Sequence, residues 1–175
     1  MASARRIVVV GISGNGKTTL GRQLAAKLDV PFVEMDSLYH LPGWTQETEE
    51  RFRAKADAVT AGDGWVLDGF YGAIVGDIVL SRADTVVWLD QPLPLVLWRL
   101  VRRAVRDIVT RRDMFNGNRQ TWREAFFRKE SLVSFAITSH VRRESLYPPR
   151  FAAYPQLNVV RLRSPGAVRR WLASQ

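Results

Sequence analysis

A lysine and two threonines come directly after a glycine-rich turn, in the stretch "GISGNGKTT" at residues 11–19. Glycines allow successive backbone N–H groups to point into one concavity, and such a concavity binds anions. In this phosphate-loop spacing the lysine reaches the β- and γ-phosphates of a nucleotide, and the first hydroxyl binds Mg²⁺. We therefore predict a site for ATP and Mg²⁺, in which Lys17 is also a catalytic residue. The residues predicted to bind the nucleotide here are Gly11, Ser13, Gly14, Asn15, Gly16, Lys17, Thr18 and Thr19.

Three aspartates, Asp36, Asp68 and Asp90, each end an apolar segment that has the pattern of a β-strand. A triphosphate site needs a carboxylate near Mg²⁺, and a carboxylate beside an acceptor hydroxyl can orient that hydroxyl and accept its proton. Each aspartate also has a structural interpretation. Asp36 fits a helix cap, Asp68 fits a turn before Gly69, and for Asp90 the cap is the favoured interpretation.

Apolar strand patterns alternate with amphipathic helix patterns along the chain. Residues 7–10 are apolar on both faces, as in a strand buried within a parallel sheet. Further strands are predicted in "VPFVEMDSL", "WVLDGF", "DTVVWLD" and "NVVRLRSP". The stretch "TWREAFFRKESLVSFAITSHVRRESLY" is predicted to be one helix, with the prolines after Tyr147 in a loop. This alternation predicts an α/β fold whose ligand site lies beyond the carboxyl ends of the strands.

Two of these segments resemble adenylate kinases. "WVLDGFY" resembles the segment that ends in Asp-Gly-Phe-Pro-Arg in that family, and "WLDQPLPLVLWRLVRR" resembles its next strand and helix. The resemblance implies a nucleoside-monophosphate-kinase-like fold: three layers (α/β/α), five parallel strands in the order 2-3-1-4-5, and a helical lid. That order places Asp68 beside the phosphate loop, so Thr18 and Asp68 are the implied Mg²⁺ ligands. "MDSLYH" is similar to the segments of gluconate and shikimate kinases in which an aspartate meets the acceptor hydroxyl, which implies a catalytic role for Asp36.

Arginines are concentrated in the second half of the chain. Arg99 and Arg103 are four residues apart on one face of a predicted helix. They match by position two adenylate kinase arginines, one near adenine and one on phosphate. This implies that both are catalytic and that Arg99 also binds the nucleotide. "RRDMFNGNRQTWR" resembles a mobile lid, predicted at about residues 104–130, that brings guanidinium groups over the transferred phosphoryl group. From this segment we assign Arg119 to catalysis.

The stretch "RLRSPGAV" near the C-terminus resembles the loop that borders adenine in the same superfamily. The resemblance implies that Arg163, Ser164 and Pro165 bind the nucleotide. The same residues fit the start of a helix, with Ser164 as its cap and Pro165 as its first residue.

Over nearly its whole length the chain is similar to bacterial proteins named for DNA topology modulation or as adenylate-kinase-like. The similarity is carried by "GISGNGKTTL", "MDSLYHLPGW", "WVLDGFY", "RADTVVWLD", "LWRLVRR" and "RLRSP". After Phe70, however, Tyr71 and Gly72 stand where adenylate kinases have a proline and the arginine that holds the acceptor phosphate. The acceptor is therefore left open among a nucleotide, a nucleoside and a hydroxyl metabolite. His40 and Trp44 either line its pocket or close a loop.

The composition favours a single domain over residues 1–175, with 46% hydrophobic residues and no cysteine for disulfides or thiolate metal sites. No apolar run is long enough to span a bilayer, and no signal-peptide pattern is present, so we expect a cytoplasmic protein with no membrane partner.

Positive charge is unevenly placed, since residues 1–95 carry 9 basic and 12 acidic side chains and residues 96–175 carry 17 and 5. Arginines gathered on a polyphosphate explain this excess, and so does a basic surface for nucleic acid. The favoured function is an ATP-dependent phosphotransferase that acts on a small acceptor. The alternatives are a nucleotide-dependent DNA-binding regulator and a plain NTPase, and the oligomeric state is not predicted.

Overall fold

The computed structural model describes residues 5–119, 121–127 and 131–175. Within these residues five strands alternate with seven α-helices. The strands are β1 (Arg6–Val10), β2 (Phe32–Glu34), β3 (Trp65–Asp68), β4 (Thr85–Leu89) and β5 (Asn158–Leu162). The helices are α1 (Lys17–Leu28), α2 (Met35–Tyr39), α3 (Glu49–Val59), α4 (Gly76–Arg82), α5 (Leu93–Val109), α6 (Leu132–Ala152) and α7 (Pro165–Ala173). Short 3₁₀ turns lie at Pro42–Trp44 and Phe115–Gly117, and a π-helical turn lies at Arg123–Phe127.

The five strands form one parallel sheet in the order β2-β3-β1-β4-β5. The predicted fold class is therefore confirmed. Alternate residues of the central strand β1 enter hydrophobic clusters on opposite faces of the sheet: Val8 and Val10 on one face, Ile7 and Val9 on the other. Because helices cover both faces, the strand is apolar at every position rather than at every second one.

The strand order determines which strand ends lie beside the phosphate loop. Val9 of β1 is paired with Asp68 of β3, and Glu34 at the end of β2 is paired with Asp68 from the other side. Asp68 is the last residue of β3 and is 8% exposed. Asp36 is not a strand residue, because β2 ends at Glu34 and Asp36 lies in the first turn of α2.

Three local predictions were wrong. The stretch predicted as one helix is divided, because Arg123–Phe127 forms a π-helical turn and α6 begins only at Leu132, after its N-cap Ser131. Pro148 lies inside α6 rather than in a loop, because Tyr147 and Phe151, one helical turn apart, both bury their rings in the core. Asp90 does not cap α5, whose N-cap is Pro92 without a side-chain cap. Its carboxylate instead pairs with Arg161 at 2.6 Å.

The predicted lid begins while α5 is still helical, since that helix continues to Val109. Residue 120 and residues 128–130 of the predicted lid lie outside the described residues. In the described part of the chain, no helix is both long and apolar enough to cross a membrane.

Candidate active site

The phosphate loop connects β1 to α1 and requires glycine at two positions in particular. Gly14 has φ +88°, and a Cβ there would lie 2.7 Å from the backbone oxygen of Val96. Gly16 has φ +89° and is the N-cap residue of α1. Both conformations are costly for residues with a side chain. The loop therefore turns its backbone toward the start of α1, where N–H groups without helical partners bind anions.

Asn15 contributes to the site by holding the loop rather than by facing a ligand. Its side chain is buried, and its Nδ2 donates a hydrogen bond to the carbonyl oxygen of Leu89 at 3.0 Å. Gln91 adds a second connection, since its Nε2 lies 3.5 Å from the carbonyl oxygen of Asn15. These contacts attach the phosphate loop to the end of β4.

Lys17, Thr18 and Asp68 form the buried centre of the site. Lys17 Nζ lies 3.9 Å from Asp68 Oδ1, and Thr18 Oγ1 donates a hydrogen bond to Asp68 Oδ2. Burial lowers the pKa of Lys17, and the charge of Asp68 opposes that shift. Burial likewise raises the pKa of Asp68, against the opposing effects of Lys17 and Thr18. Charges added here are therefore poorly screened by water and interact strongly.

The oxygens of Thr18 and Asp68 fit a magnesium ion, which prefers hard oxygen ligands and usually takes only one or two carboxylates from the protein. Among the residues that the structure describes, no group of three or more His, Cys, Asp or Glu side chains could hold a metal. A cation at Thr18 and Asp68 would therefore complete its coordination with nucleotide phosphates and water.

A cavity of about 670 Å³ opens over this centre, and arginines line it from the opposite side. Its lining includes Lys17, Thr18, Arg99, Arg103 and Arg112. The cavity is large enough for a nucleotide-sized ligand.

The arginines of this cavity are held in different ways. Arg99 Nη1 donates to Gln91 Oε1 at 2.8 Å. This bond positions the guanidinium, and because the amide is neutral it leaves the positive charge uncompensated. Arg103 Nε is buried and has no hydrogen-bond partner among the described residues. Burial lowers the pKa of Arg103, although the carboxylates of Asp107 and Asp36 oppose the shift. A buried donor without a partner is costly, and an anionic ligand that accepts from it would remove that cost.

The predicted lid arginine is not brought to this cavity. Arg119 is exposed and its Nε donates to Asp113 Oδ1 at 2.7 Å. Arg112, one of four arginines in the lid-like segment, lines the cavity in its place. Arg112 closely follows α5, whereas Arg119 lies beyond the turn at Phe115–Gly117, and the sequence pattern does not show where that turn places Arg119.

The predicted adenine loop also lies outside the residues that line the cavity. Ser164 caps α7 by accepting a hydrogen bond from the backbone N–H of Ala167 at 3.2 Å, and Pro165 is the first residue of that helix. The helix-start interpretation is thereby confirmed. Arg163 is exposed, with its Nε 3.7 Å from Asp90 Oδ2. Gly11 and Ser13 belong to the loop but do not line the cavity, whereas Gly14, Gly16 and Thr19 do.

Asp36 is held by a hydrogen bond from Tyr71, a residue of another segment. Tyr71 donates its hydroxyl to Asp36 Oδ1 at 2.6 Å, and His40 Nε2 lies 3.4 Å from the same hydroxyl. Burial, followed by the negative charge of Asp36, raises the pKa of Tyr71 far above its ordinary value, so the hydroxyl stays protonated. The negative charge of Asp36 also raises the pKa of Lys17 and of Arg103, against the larger effect of burial.

Arg143 is a further site residue that sequence reasoning missed. It lies on α6, its guanidinium packs over the ring of Tyr147 at 5.6 Å, and its Nη1 is buried with no partner among the described residues. Burial lowers its pKa, and the charge of Asp36 opposes that shift. The positive charge of Arg143 also lowers the pKa of Lys17. One sequence signal was available, namely the four-residue spacing between Arg143 and the buried Tyr147.

Comparison with known proteins agrees with this geometry. The family model "ATPase family associated with various cellular activities (AAA)" matches residues 7–67. A shikimate kinase of Histophilus somni is 32% identical over 123 residues, which cover 62% of this chain and 70% of that protein. The chain belongs to the P-loop kinase family that includes the shikimate kinases. A shikimate kinase of Symbiobacterium thermophilum is 37% identical over 98 residues, 48% of this chain and 56% of its own length.

Solved P-loop kinases share the fold. The structure of shikimate kinase from Acinetobacter baumannii in complex with shikimate has a TM-score of 0.58 at 22% identity, and the match covers 98% of this chain and 90% of that one. A gluconokinase from Sinorhizobium meliloti has a TM-score of 0.52 at 18% identity, with 98% and 95% covered. The chain spans just over half the length of the Symbiobacterium relative, so its own activity must be argued from the site.

Proposed function

We propose that this P-loop kinase transfers the γ-phosphoryl group of ATP to a hydroxyl of a small acceptor. One observation carries the proposal: the Asp36 carboxylate is held by Tyr71 at 2.6 Å and follows two residues after Glu34, which lines the cavity and is paired with Asp68. A plain NTPase needs the phosphate loop and the metal ligands. A second carboxylate near the phosphate site, apart from the metal ligands, is useful for orienting a hydroxyl nucleophile.

The residues of the site have different roles in the transfer. Loop N–H groups and Lys17 hold the phosphates, while Arg99, Arg103 and Arg112 surround the phosphoryl group. When bound at Thr18 and Asp68, Mg²⁺ neutralises charge on the β- and γ-phosphates. The acceptor oxygen forms a bond to the γ-phosphorus as the bond to the bridging β–γ oxygen breaks and ADP leaves. Asp36 receives the proton of the acceptor hydroxyl.

The acceptor that we propose is a small hydroxyl compound with its own negative charge. Arg143 supplies the reason, because its Nη1 is buried without a partner among the described residues and its charge interacts with that of Asp36. Two relatives are named shikimate kinase and gluconokinase. Shikimate and gluconate are hydroxy acids, so they are the first acceptors to test. The finer resemblance to adenylate-kinase-like proteins named for DNA topology modulation, and the cytoplasmic location, stay predictions.

The test is a transfer assay with radiolabelled ATP and Mg²⁺ against hydroxy acids, nucleosides and nucleoside monophosphates. Asp68→Asn is expected to weaken the Mg²⁺ dependence of nucleotide binding and to lower every ATP-consuming activity. Asp36→Asn is expected to spare ATP binding and to lower transfer by about 10²- to 10⁴-fold.

Two outcomes would contradict the proposal. Hydrolysis of ATP at an equal rate with and without every acceptor would make the chain a plain NTPase. Duplex DNA binding that survives physiological salt and selects one sequence would favour the DNA-binding regulator, because non-specific attraction to arginines falls steeply with salt.

A further inference from the structure

We propose that Tyr71 is a positioning residue for the acceptor: its hydroxyl fixes Asp36 through Oδ1 and leaves Oδ2 for the acceptor hydroxyl. The inference rests on the proposed function, since it assigns Asp36 to the acceptor. Tyr71 is also the residue at which the sequence departs from the adenylate kinase pattern. Tyr71 therefore has a role of its own in this segment, which also lacks the arginine that adenylate kinases have there.

The hydrogen bond between Tyr71 and Asp36 controls the orientation of the carboxylate. The hydroxyl lies 2.6 Å from Asp36 Oδ1, and no other side-chain donor to Asp36 is found in the described part of the chain. A carboxylate on a short side chain rotates freely when exposed. Held at one oxygen by a buried donor, it presents the second oxygen in a defined direction, as a base in phosphoryl transfer requires.

Packing holds the ring of Tyr71 in place. Its centroid lies 4.8 Å from that of Tyr39 and 5.1 Å from that of Phe52, and Phe52 is fully buried. Aromatic pairs at these separations are in favourable contact. The hydroxyl is therefore carried by a ring that cannot easily turn away from Asp36.

The backbone of Tyr71 is also held in an unusual conformation. Its φ is +42°, in the left-handed region that residues other than glycine rarely adopt. Two residues earlier, the N–H of Gly69 donates to the carbonyl oxygen of Val9 at 3.1 Å, so this segment is attached to the strand that leads into the phosphate loop. The carbonyl oxygen of Tyr71 accepts from the N–H groups of Ile74 and Val75. Strain of this kind persists where the surrounding structure determines the position, and it is concentrated at functional sites.

The hydroxyl remains a donor at every pH at which a kinase works, because burial raises the pKa of Tyr71. His40 follows α2 directly, and its Nε2 lies 3.4 Å from the same hydroxyl oxygen. The three side chains connect the end of β3, helix α2 and the loop after it. An acceptor that contacts Asp36 thus binds a carboxylate whose orientation is fixed by Tyr71.

The experiment compares Tyr71→Phe with Tyr39→Phe, which removes a hydroxyl from a neighbouring ring that bonds to Gln46 instead. Both are measured for ATP·Mg²⁺ affinity by calorimetry and for kcat and KM with the best acceptor of the panel. We expect Tyr71→Phe to lower kcat by about 10- to 100-fold, the usual effect of losing one hydrogen bond to a charged group. ATP affinity should change less than about twofold, and Tyr39→Phe should retain wild-type kcat.

A second cycle separates positioning from general support of the fold. In an Asp36→Asn background, Tyr71→Phe is expected to cause little further loss, because Tyr71 acts through Asp36. The full loss in that background, or equal rates for Tyr71→Phe and the wild type, would overturn the inference while leaving the proposed function intact. A wild-type protein that transfers phosphate to no acceptor of the panel would instead refute the proposed function, and the inference with it.

Discussion

Replacing Arg103 by methionine should make the protein more stable and less active. Arg103 lies on α5, its Nε is buried without a partner among the described residues, and its guanidinium lines the cavity over the phosphate loop. Methionine keeps most of the apolar stem of the side chain and removes the charge. The folded protein is thereby relieved of an unsatisfied buried donor, while the bound phosphates lose a positive charge.

The size of the stability change follows from two opposing effects. A buried donor left unsatisfied costs about 1–3 kcal/mol. Removing the charge also removes its attraction to Asp107, Asp36 and Asp68, but burial outweighs that attraction, since the pKa of Arg103 is lowered. We therefore expect a gain at the lower end of this range, about 1 kcal/mol in the free energy of unfolding. For a chain of this size, such a gain raises Tm by about 2–4 °C.

The activity should change in the opposite direction. A preorganised donor aimed at developing charge typically contributes about 10²- to 10³-fold to kcat, and we expect Arg103→Met to lose that factor in ATP consumption. Tm is measured by calorimetry without nucleotide. Arg102→Met is the control, because Arg102 is exposed over the ring of Trp98 at 5.4 Å and should alter Tm and rate little. A lower Tm with an unchanged rate in Arg103→Met would show that Arg103 is a structural residue and would refute this reasoning.

Three further predictions follow from the site. Lys17→Ala should fold, as judged by circular dichroism, but bind ATP·Mg²⁺ much more weakly in a titration; unchanged binding would remove the basis of the nucleotide site. Arg112→Ala should lower the rate of ATP consumption at least about 10²-fold, whereas Arg119→Ala should lower it less than about twofold; the reverse order would restore the original assignment of the lid arginine. Asn118 bonds through Oδ1 and Nδ2 to Trp44 N and Leu41 O, each at 2.9 Å. Asn118→Ala should therefore make residues 111–119 more sensitive to trypsin, and equal cleavage would show that these bonds do not hold the segment.

The fold could be predicted because local patterns and the parallel-sheet rules point the same way. β1 is apolar at consecutive positions, and the glycines that follow it require a turn before α1, so strand, loop and helix are determined within residues 6–28. The end of α6 was misassigned for an equally physical reason. Proline disfavours a helix locally, but burial of Tyr147 and Phe151 on one helical face outweighs that preference.

The site could be predicted only where sequence neighbours are also spatial neighbours. Lys17 and Thr18 follow the phosphate loop directly, and Asp68 ends a strand adjacent to β1, so the strand order is enough to bring the three together. Arg143 is more than a hundred residues away from Lys17 and Thr18, and it lies on neither of the two strands that position the site. Its approach depends on how α6 packs against the rest of the fold, which no local pattern specifies.

The placement of charge bears on the positive excess of residues 96–175, for which the sequence left two explanations. Several partly exposed arginines have acidic partners, such as Arg53 with Asp77 and Arg161 with Asp90, at 2.7 and 2.6 Å. The arginines of the site differ, because Arg99 bonds to a neutral amide, and Arg103 and Arg143 each keep a buried nitrogen without a partner among the described residues. All three come from the basic half of the chain, and such side chains are costly unless an anion reaches them. A bound triphosphate and an anionic acceptor supply the missing partners, so at least this part of the excess is explained without a nucleic acid.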